Sequence, residues 1–191
     1  MRPPVKATRT VPAAPAPAPT PAPVVAVPEP RNYEQEKNRI KLALSKNSRD
    51  SLASSEVGYY MDVLQGRLKQ VAGKSMGIAR HGDRIVIDLS DRAGFEPGSA
   101  QIKPGIREIL TPLSKVLVEY RKTLLSVRVR ADDTGAHASN QQLAEQRALA
   151  LAHYLSDLGV SDKRIVTGGV GSENRVRVEL QVEPVVRVPG S

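Results

Sequence analysis

Apolar residues recur at steps of three and four positions before Gly159, and this spacing predicts a long amphipathic helix. Ser139 and Asn140 are good N-cap residues, so we expect the helix to begin there. Gly159 would end it as a C′ glycine, with Val160 folding back on the last turn. The buried stripe would consist of Leu143, Ala144, Ala148, Leu151, Tyr154, Leu155 and Leu158.

Three further segments have helical character. The charged stretch 33–45 is helix-prone with weak periodicity, and the stretch 52–71 has a clearer apolar stripe. A third helix is expected from Pro104, which suits a first turn. Pro112 conflicts with this helix: either the proline kinks it, or the main helix begins with Thr111 as its N-cap.

Alternation of apolar and polar residues predicts strands between these helices. Residues 76–90 contain two short runs about the turn His81-Gly82-Asp83, which is typical of a hairpin. A flexible turn is expected at Gly168, Gly169 and Gly171. The order hairpin, helix, strand, helix, strand, strand predicts an α/β fold with its helices on one face of a mixed sheet. The remaining strands would be 124–130, 164–167 and 175–183.

The chain divides into four parts. Ten of its fifteen prolines lie in residues 1–31, which we interpret as a polyproline II tether or a disordered tail. Residues 32–75 would form a helical segment, 76–184 the folded domain and 185–191 a C-terminal tail. The helix at 52–71 would either dock on the domain or pair with a second copy or another protein. Docking is favoured because so short a stripe is marginal for an independent coiled coil.

Net charge and aromatic content limit the classes of partner that the chain can bind. The formal net charge is +8, which fits an anionic partner such as cell-wall polymer, lipid headgroups or nucleic acid. Only 3% of the residues are aromatic, so we expect no nucleic-acid partner, because base stacking needs aromatic platforms. The sequence contains no cysteine, no run long enough to span a membrane and no export signal. A membrane association would therefore require an anchor or signal that is missing here.

The loop before the long helix brings opposite charges near one another. Asp132 follows an alternating apolar run, and Asn140, Ala144 and Arg147 share one helical face that can look back at it. A carboxylate, a guanidinium and the N–H groups of a helix N-terminus would then border a small polar pocket. Such a pocket suits a zwitterion, with Asp132 for an ammonium and Arg147 for a carboxylate. Alternatively, the two side chains merely pair with each other or with solvent.

The stretch ADDTGAHASNQQLAEQRALALAHYL resembles the peptidoglycan-associating signature of the OmpA-like C-terminal domain family (the OmpA/MotB/Pal type). That signature reads T-D-x-x-G, about five variable positions, then N-x-x-L-S-x-x-R-A. The resemblance covers roughly residues 77–183 and implies a β-α-β-α-β-β domain whose mixed four-stranded sheet carries helices on one face. The positions that match are Asp132, Gly135, Asn140, Leu143, Arg147 and Ala148.

In that family the matching Asp and Arg bind the ammonium and carboxylate of diaminopimelate in the peptidoglycan stem peptide. The resemblance therefore implies that Asp132, Asn140 and Arg147 grip this ligand non-covalently. It also implies a protein of the periplasm, outer membrane or cell wall that tethers an envelope component to the wall. The pocket rim would include Phe95, Ala131, Thr134, Gly135, Ser139 and Leu143.

Departures from the family pattern favour an alternative. Val129-Arg130-Ala131 stand where the family has Gly-His/Tyr-Thr, Ala144 replaces a Ser, and only residues 171–174 remain of a long loop between the last strands. Each departure would weaken ligand binding without harming the fold. The chain would then be a structural or interaction module with a degenerate pocket, acting through protein contacts of the 52–71 helix.

An enzyme, a metal site and a cofactor site are not expected. His81 falls in a turn, His137 in a loop and His153 inside a helix, and none has a partner at ligand or triad spacing. Asp132 and Asp133 are adjacent, so in an extended segment they would point to opposite sides and would not work as an acid and base pair.

Overall fold

The computed structural model describes residues 33–72, 76–89, 94–132, 137–173 and 177–188. The proline-rich residues 1–31 lie outside these ranges. Within them, no helix is both long and apolar enough to cross a bilayer. The main elements are α1 (Tyr33–Ser45), α2 (Val57–Ala72), β1 (Gly77–His81), β2 (Arg84–Asp88), α3 (Pro104–Glu119), β3 (Thr123–Asp132), α4 (His137–Asp157), β4 (Ile165–Glu173) and β5 (Arg177–Pro184).

The five strands form one sheet in the order β1-β2-β5-β3-β4. Neighbouring strands are antiparallel except β3 and β4, which are parallel and connected through α4. The predicted mixed α/β class is confirmed, but the sheet has five strands rather than four. The difference arises because both strands of the hairpin join the sheet, with β1 at its edge.

The hairpin predicted at residues 76–90 is confirmed. The last pair of β1 and β2 is His81 with Arg84, which leaves Gly82 and Asp83 as a two-residue turn. Gly82 has a φ of +62°, a left-handed conformation that glycine adopts at little cost. His81 is therefore the last strand residue and lies just before the turn.

One face of the sheet forms the main core together with α2, α3 and α4. Met61, Leu64 and Leu68 of α2 are fully buried in this cluster. The stripe predicted in 52–71 is therefore covered by the chain's own domain, and burying three such side chains contributes about 6 kcal/mol. The fully buried sheet residues that face these helices include Ile85, Ile87, Val127, Val129, Leu180 and Val182.

Helix α1, which precedes the predicted domain, lies on the opposite face of the sheet. The two helices of the domain itself, α3 and α4, share the main-core face as predicted. Tyr33, Ile40 and Leu44 pack on a second, smaller apolar cluster. Consecutive residues of a strand point to opposite faces, so Leu124 serves this cluster while Leu125 serves the main core. The smaller cluster is formed by Leu124, Val166 and Val185.

A buried carboxylate joins α1 to the sheet. An oxygen of Glu183 in β5 lies 2.5 Å from Nζ of Lys37, and the other oxygen lies 3.2 Å from Nζ of Lys41. Nε of Arg84 in β2 is 3.1 Å away. Burial alone would raise the pKa of Glu183, but the contacts with Lys37 and Lys41 outweigh it and lower the pKa below the ordinary 4.5.

Helix α3 runs without interruption across Pro112. Pro104 stands in its first turn as predicted. The hydroxyl of Thr111 donates to the carbonyl oxygen of Arg107, 2.8 Å away, as happens inside a helix. The alternative in which the main helix begins at Thr111 is therefore wrong.

The glycines expected in a flexible turn lie inside β4, because α1 and α4 approach this strand from opposite faces. A Cβ on Gly168 would lie 2.8 Å from Cδ2 of Tyr33. A Cβ on Gly169 would clash with the backbone nitrogen of Glu145 in α4. Close packing of helix on strand, rather than a change of chain direction, requires these glycines.

Packing continues beyond Pro184, where a tail was expected from residue 185. Val185 is fully buried, and Val186 forms a parallel bridge with Leu52. The backbone nitrogen of Leu52 donates to the carbonyl oxygen of Val185 at 2.8 Å, and that of Arg187 donates to the carbonyl oxygen of Leu52 at 2.8 Å. The packed part of the chain therefore reaches at least Arg187.

Helix α4 ends as predicted. Gly159 has a φ of +96°, and its N–H donates to the carbonyl oxygen of Ser156 at 2.8 Å. The N–H of Val160 donates to the carbonyl oxygen of Leu155 at 3.0 Å, which completes a Schellman motif. Val160 is buried in the main core.

Candidate ligand-binding site

Strand β3 brings Asp132 to the carboxyl end of the parallel β3–β4 pair. The pairing ends, after an irregularity, with Asp132 opposite Glu173. In α/β units, ligands commonly bind at this end of the strands. The side chains of Ala131 and Asp132 lie outside the described residues, and so do Thr134 and Gly135.

Helix α4 begins at His137, so the prediction that Ser139 or Asn140 is the N-cap is wrong. Ala138 is a strong helix former, which favours an earlier start. Ser139 is exposed, whereas Asn140 is buried in the first turn. Seven residues separate Asn140 from Arg147, which places them on the same side of the helix, about 10 Å apart along its axis.

Arg147 is almost completely buried, with 5% of its surface exposed. Its Nε donates to the carbonyl oxygen of Ser99 at 2.8 Å, and its Nη2 lies 3.5 Å from the carbonyl oxygen of Glu96. Its Cζ lies 5.1 Å from the centre of the Phe95 ring, within cation–π range. The loop before α3 therefore holds the guanidinium in a defined orientation.

That loop, residues 95–102, is closed by its own hydrogen bonds. Phe95 and Ile102 form an antiparallel bridge, and the N–H of Glu96 donates to the carbonyl oxygen of Gln101 at 3.0 Å. The N–H of Gln101 donates to the hydroxyl oxygen of Ser99, also at 3.0 Å. The carbonyl groups that contact Arg147 thus belong to a compact turn.

The structure brings Asn140 and Arg147 to one buried side of α4, with Ala144 between them fully buried. At Arg147 this side packs against Phe95 and the 95–102 turn. The carboxylate of Asp132 lies outside the described residues. A pocket shared by Asp132 and Arg147 therefore stays a prediction.

The structure also gives the burial of two of the six predicted rim residues, Phe95 and Leu143. Phe95 is 5% exposed and belongs to the main core, so it is at once a core residue and a wall of the Arg147 site. Leu143 is partly buried. The sequence does not identify Glu96 and Ser99 as contacts of Arg147, because they contribute backbone carbonyl groups and not side chains. The nearest feature that the sequence shows is the Pro-Gly-Ser turn at 97–99.

Gln141 fixes α4 on strand β4. Its Nε2 donates to the carbonyl oxygen of Gly169 at 2.8 Å and to the carboxylate of Glu145 at 2.7 Å. The same Gly169 lets the backbone of α4 approach closely. The position of Arg147 therefore depends on a helix seated tightly against the sheet.

Within the part of the chain that the structure describes, His, Cys, Asp and Glu side chains form no group of three that could hold a metal ion. His81 is exposed at the end of β1, and His153 is exposed on α4.

A parallel strand pair joined by a helix, with a buried arginine on that helix held by the turn before α3, places the chain among the small mixed α/β domains. A model described as the OmpA family matches residues 94–180. The chain is 36% identical over 163 residues to a protein named Probable lipoprotein YiaD from Escherichia coli (strain K12). That match covers 78% of this chain and 74% of that protein. The chain belongs to the OmpA family.

The similarity to the Escherichia coli protein reaches beyond residues 94–180. Only eleven residues follow Leu180, so a match over 78% of the chain must include residues before Gly94. A second relative is the Peptidoglycan-associated lipoprotein of Brucella melitensis biotype 1, which is 27% identical over 94 residues. That match covers 49% of this chain and 56% of the relative.

Solved structures share the fold. A MotB-like protein from Desulfovibrio vulgaris superposes with a TM-score of 0.58 at 17% identity, over 76% of this chain and 99% of that one. The cell wall anchor of the T6SS from Pseudomonas aeruginosa gives a TM-score of 0.53 at 18% identity, over 63% of this chain and 99% of that one. At these identities the likeness establishes the fold.

Proposed function

We propose that this chain binds peptidoglycan non-covalently through the diaminopimelate of the stem peptide. Asp132 would accept the ligand ammonium, Arg147 would bind its carboxylate, and Asn140 would complete the site. The observation that carries the proposal is the guanidinium of Arg147, which the 95–102 turn holds on the side of α4 that also carries Asn140. The chain would act as a binding module without turnover.

A buried arginine is a suitable partner for a carboxylate ligand. Its planar group presents two edges that each match a carboxylate, and a site of low dielectric constant strengthens the ion pair. Removing both charges from water offsets much of that gain. A fixed guanidinium reduces the remaining cost, because less conformational entropy is lost on binding.

The family membership and the named relatives support the same function. The Brucella relative is named for its association with peptidoglycan, and the Pseudomonas structure is titled a cell wall anchor. We infer that this chain works in the periplasm, against the cell wall or outer membrane, and tethers an envelope component to the wall. Residues 1–31 would supply reach, since a proline-rich chain extends about 3.1 Å per residue.

Co-sedimentation with purified sacculi of the diaminopimelate type tests the proposal. Wild type should pellet, and Asp132→Ala and Arg147→Ala should each remain largely in the supernatant. Arg67→Ala is the matched control, because it removes one positive charge from an exposed position on α2, where Arg67 pairs with Glu119. This variant should pellet like wild type.

Salt separates the specific contact from the attraction of a chain with a net charge of +8. We expect pelleting of wild type to persist at high salt. Equal pelleting of wild type, Asp132→Ala and Arg147→Ala, all lost in salt, would contradict the proposal.

The burial of Arg147 favours one alternative, an OmpA-like interaction module whose pocket has lost its ligand. A homodimer or protein partner would then bind along the 52–71 helix. Its apolar stripe is covered by the core, so such a partner would meet the opposite side, which carries the exposed Tyr59. A concentration-dependent mass shift that Tyr59→Ser removes, with no pelleting on sacculi, would support this alternative.

A further inference from the structure

We propose that the 95–102 turn is the element that positions Arg147 for its ligand, and that Gly98 sets the shape of this turn. The inference rests on the proposed function and deepens it. It concerns residues outside the signature that carries the family resemblance, since the turn lies at least thirty positions before Asp132.

The turn contacts the guanidinium from two directions. Its carbonyl groups at Glu96 and Ser99 lie along the edge formed by Nε and Nη2, while Cζ lies over the Phe95 ring. An arginine has two such edges. Hydrogen bonds to the first edge fix the direction of the second, which is formed by Nη1 and Nη2. The orientation of the ligand-binding edge therefore follows from the turn.

Gly98 determines where the two carbonyl groups point. Its φ is +64°, a region that residues other than glycine rarely adopt. The N–H of Ser99 donates to the carbonyl oxygen of Glu96 at 3.1 Å, directly across Gly98. An alanine at position 98 would strain this turn and shift the oxygen of Ser99 away from Nε of Arg147.

The chain offers a matched control. Gly82, in the turn between β1 and β2, has a φ of +62°, and a Cβ at either Gly82 or Gly98 would meet no atom within 4 Å. Gly82→Ala and Gly98→Ala therefore impose the same kind of backbone strain without a clash. Only the second lies next to Arg147.

The experiment measures binding of a soluble stem peptide containing diaminopimelate to full-length wild type, Gly98→Ala, Gly98→Asn, Gly82→Ala and Arg147→Ala. We expect Gly98→Ala to bind about tenfold more weakly, while Gly82→Ala binds like wild type at a similar loss of melting temperature. Gly98→Asn should recover most of the affinity, because asparagine tolerates the left-handed region.

A second readout does not depend on the ligand. In wild type the Nε–H proton of Arg147 should exchange slowly with solvent, because it is buried and bonded to Ser99, and Gly98→Ala should speed this exchange while Gly82→Ala does not. Equal peptide affinity and equal exchange in both alanine variants, with binding lost in Arg147→Ala, would overturn the positioning role and leave the proposed function intact. Wild-type affinity in Arg147→Ala would overturn both.

Discussion

Nζ of Lys37 in α1 lies 2.5 Å from the carboxylate of Glu183 in β5, and both side chains are at least nine-tenths buried. This ion pair crosses between the helix that follows the proline-rich residues and the sheet that carries the candidate site. Lys41 and Arg84 lie beside the same carboxylate, so three cations depend on one anion.

Glu183→Gln should therefore lower the free energy of unfolding by about 3 kcal/mol, because it leaves cations in a buried place without their anion. Lys37→Met should cost less, since Glu183 then keeps Lys41 and Arg84. Urea unfolding at pH 7 measures both values. Equal stability of Glu183→Gln and wild type would show that the cluster contributes nothing.

The same cluster predicts that the free energy of unfolding depends on pH in the acidic range. The pKa of Glu183 is lower in the folded chain than its ordinary value of 4.5, so the unfolded chain takes up the proton first as pH falls. The stabilisation is complete above about pH 4.5 and is lost as pH falls through the folded value. The stability difference between wild type and Glu183→Gln should shrink over that range, which urea unfolding at several pH values would measure.

Gly169→Ala should destabilise the fold by about 2 kcal/mol, because its Cβ would press on the backbone of α4 at Glu145. Gly168→Ala should cost less, since its neighbour is the ring of Tyr33, which can move with α1. Gly66→Ala is the control: it lies exposed in α2 with no atom near its Cβ, and it should stabilise by about 1 kcal/mol. Thermal unfolding ranks the three variants, and an equal effect of Gly169→Ala and Gly66→Ala would refute the packing role.

Arg164→Lys should destabilise the chain by about 3 kcal/mol. The buried guanidinium donates to the carbonyl oxygen and the hydroxyl of Thr123 at 3.0 and 2.9 Å, and to the carbonyl oxygen of Leu117 near the end of α3. A lysine cannot reach these acceptors in the same fork geometry. Burial lowers the pKa of Arg164 to about 10, which still leaves it charged at pH 7. Urea unfolding of Arg164→Lys beside the exposed control Arg67→Lys would measure the difference.

Features set by neighbouring residues were predictable from the sequence. Gly159 and Val160 form a helix end that depends on a few adjacent positions, and the turn at Gly82 depends only on its own hairpin. The spacing of Asp132 and Arg147 along the chain is equally local, and it pointed to the family to which the chain belongs.

Features set by distant partners were not predictable. Gly168 and Gly169 have the composition of a turn, and only the approach of α1 and α4 shows that they are strand residues. The burial of Arg147 depends on backbone carbonyl groups some fifty residues away, which leave no side-chain pattern. The position of α1 depends on apolar residues on the second face of the sheet. A short run of alternating apolar and polar residues does not show that a helix covers this second face.

The measurement that tests the central claim most directly is calorimetric binding of two stem peptides that differ only in carrying diaminopimelate or lysine. Lysine lacks the carboxylate that Arg147 would bind, so the account predicts binding of the first peptide, at least tenfold weaker binding of the second, and loss of this preference in Arg147→Ala. Equal affinity for both peptides, or a preference that survives in Arg147→Ala, would contradict it.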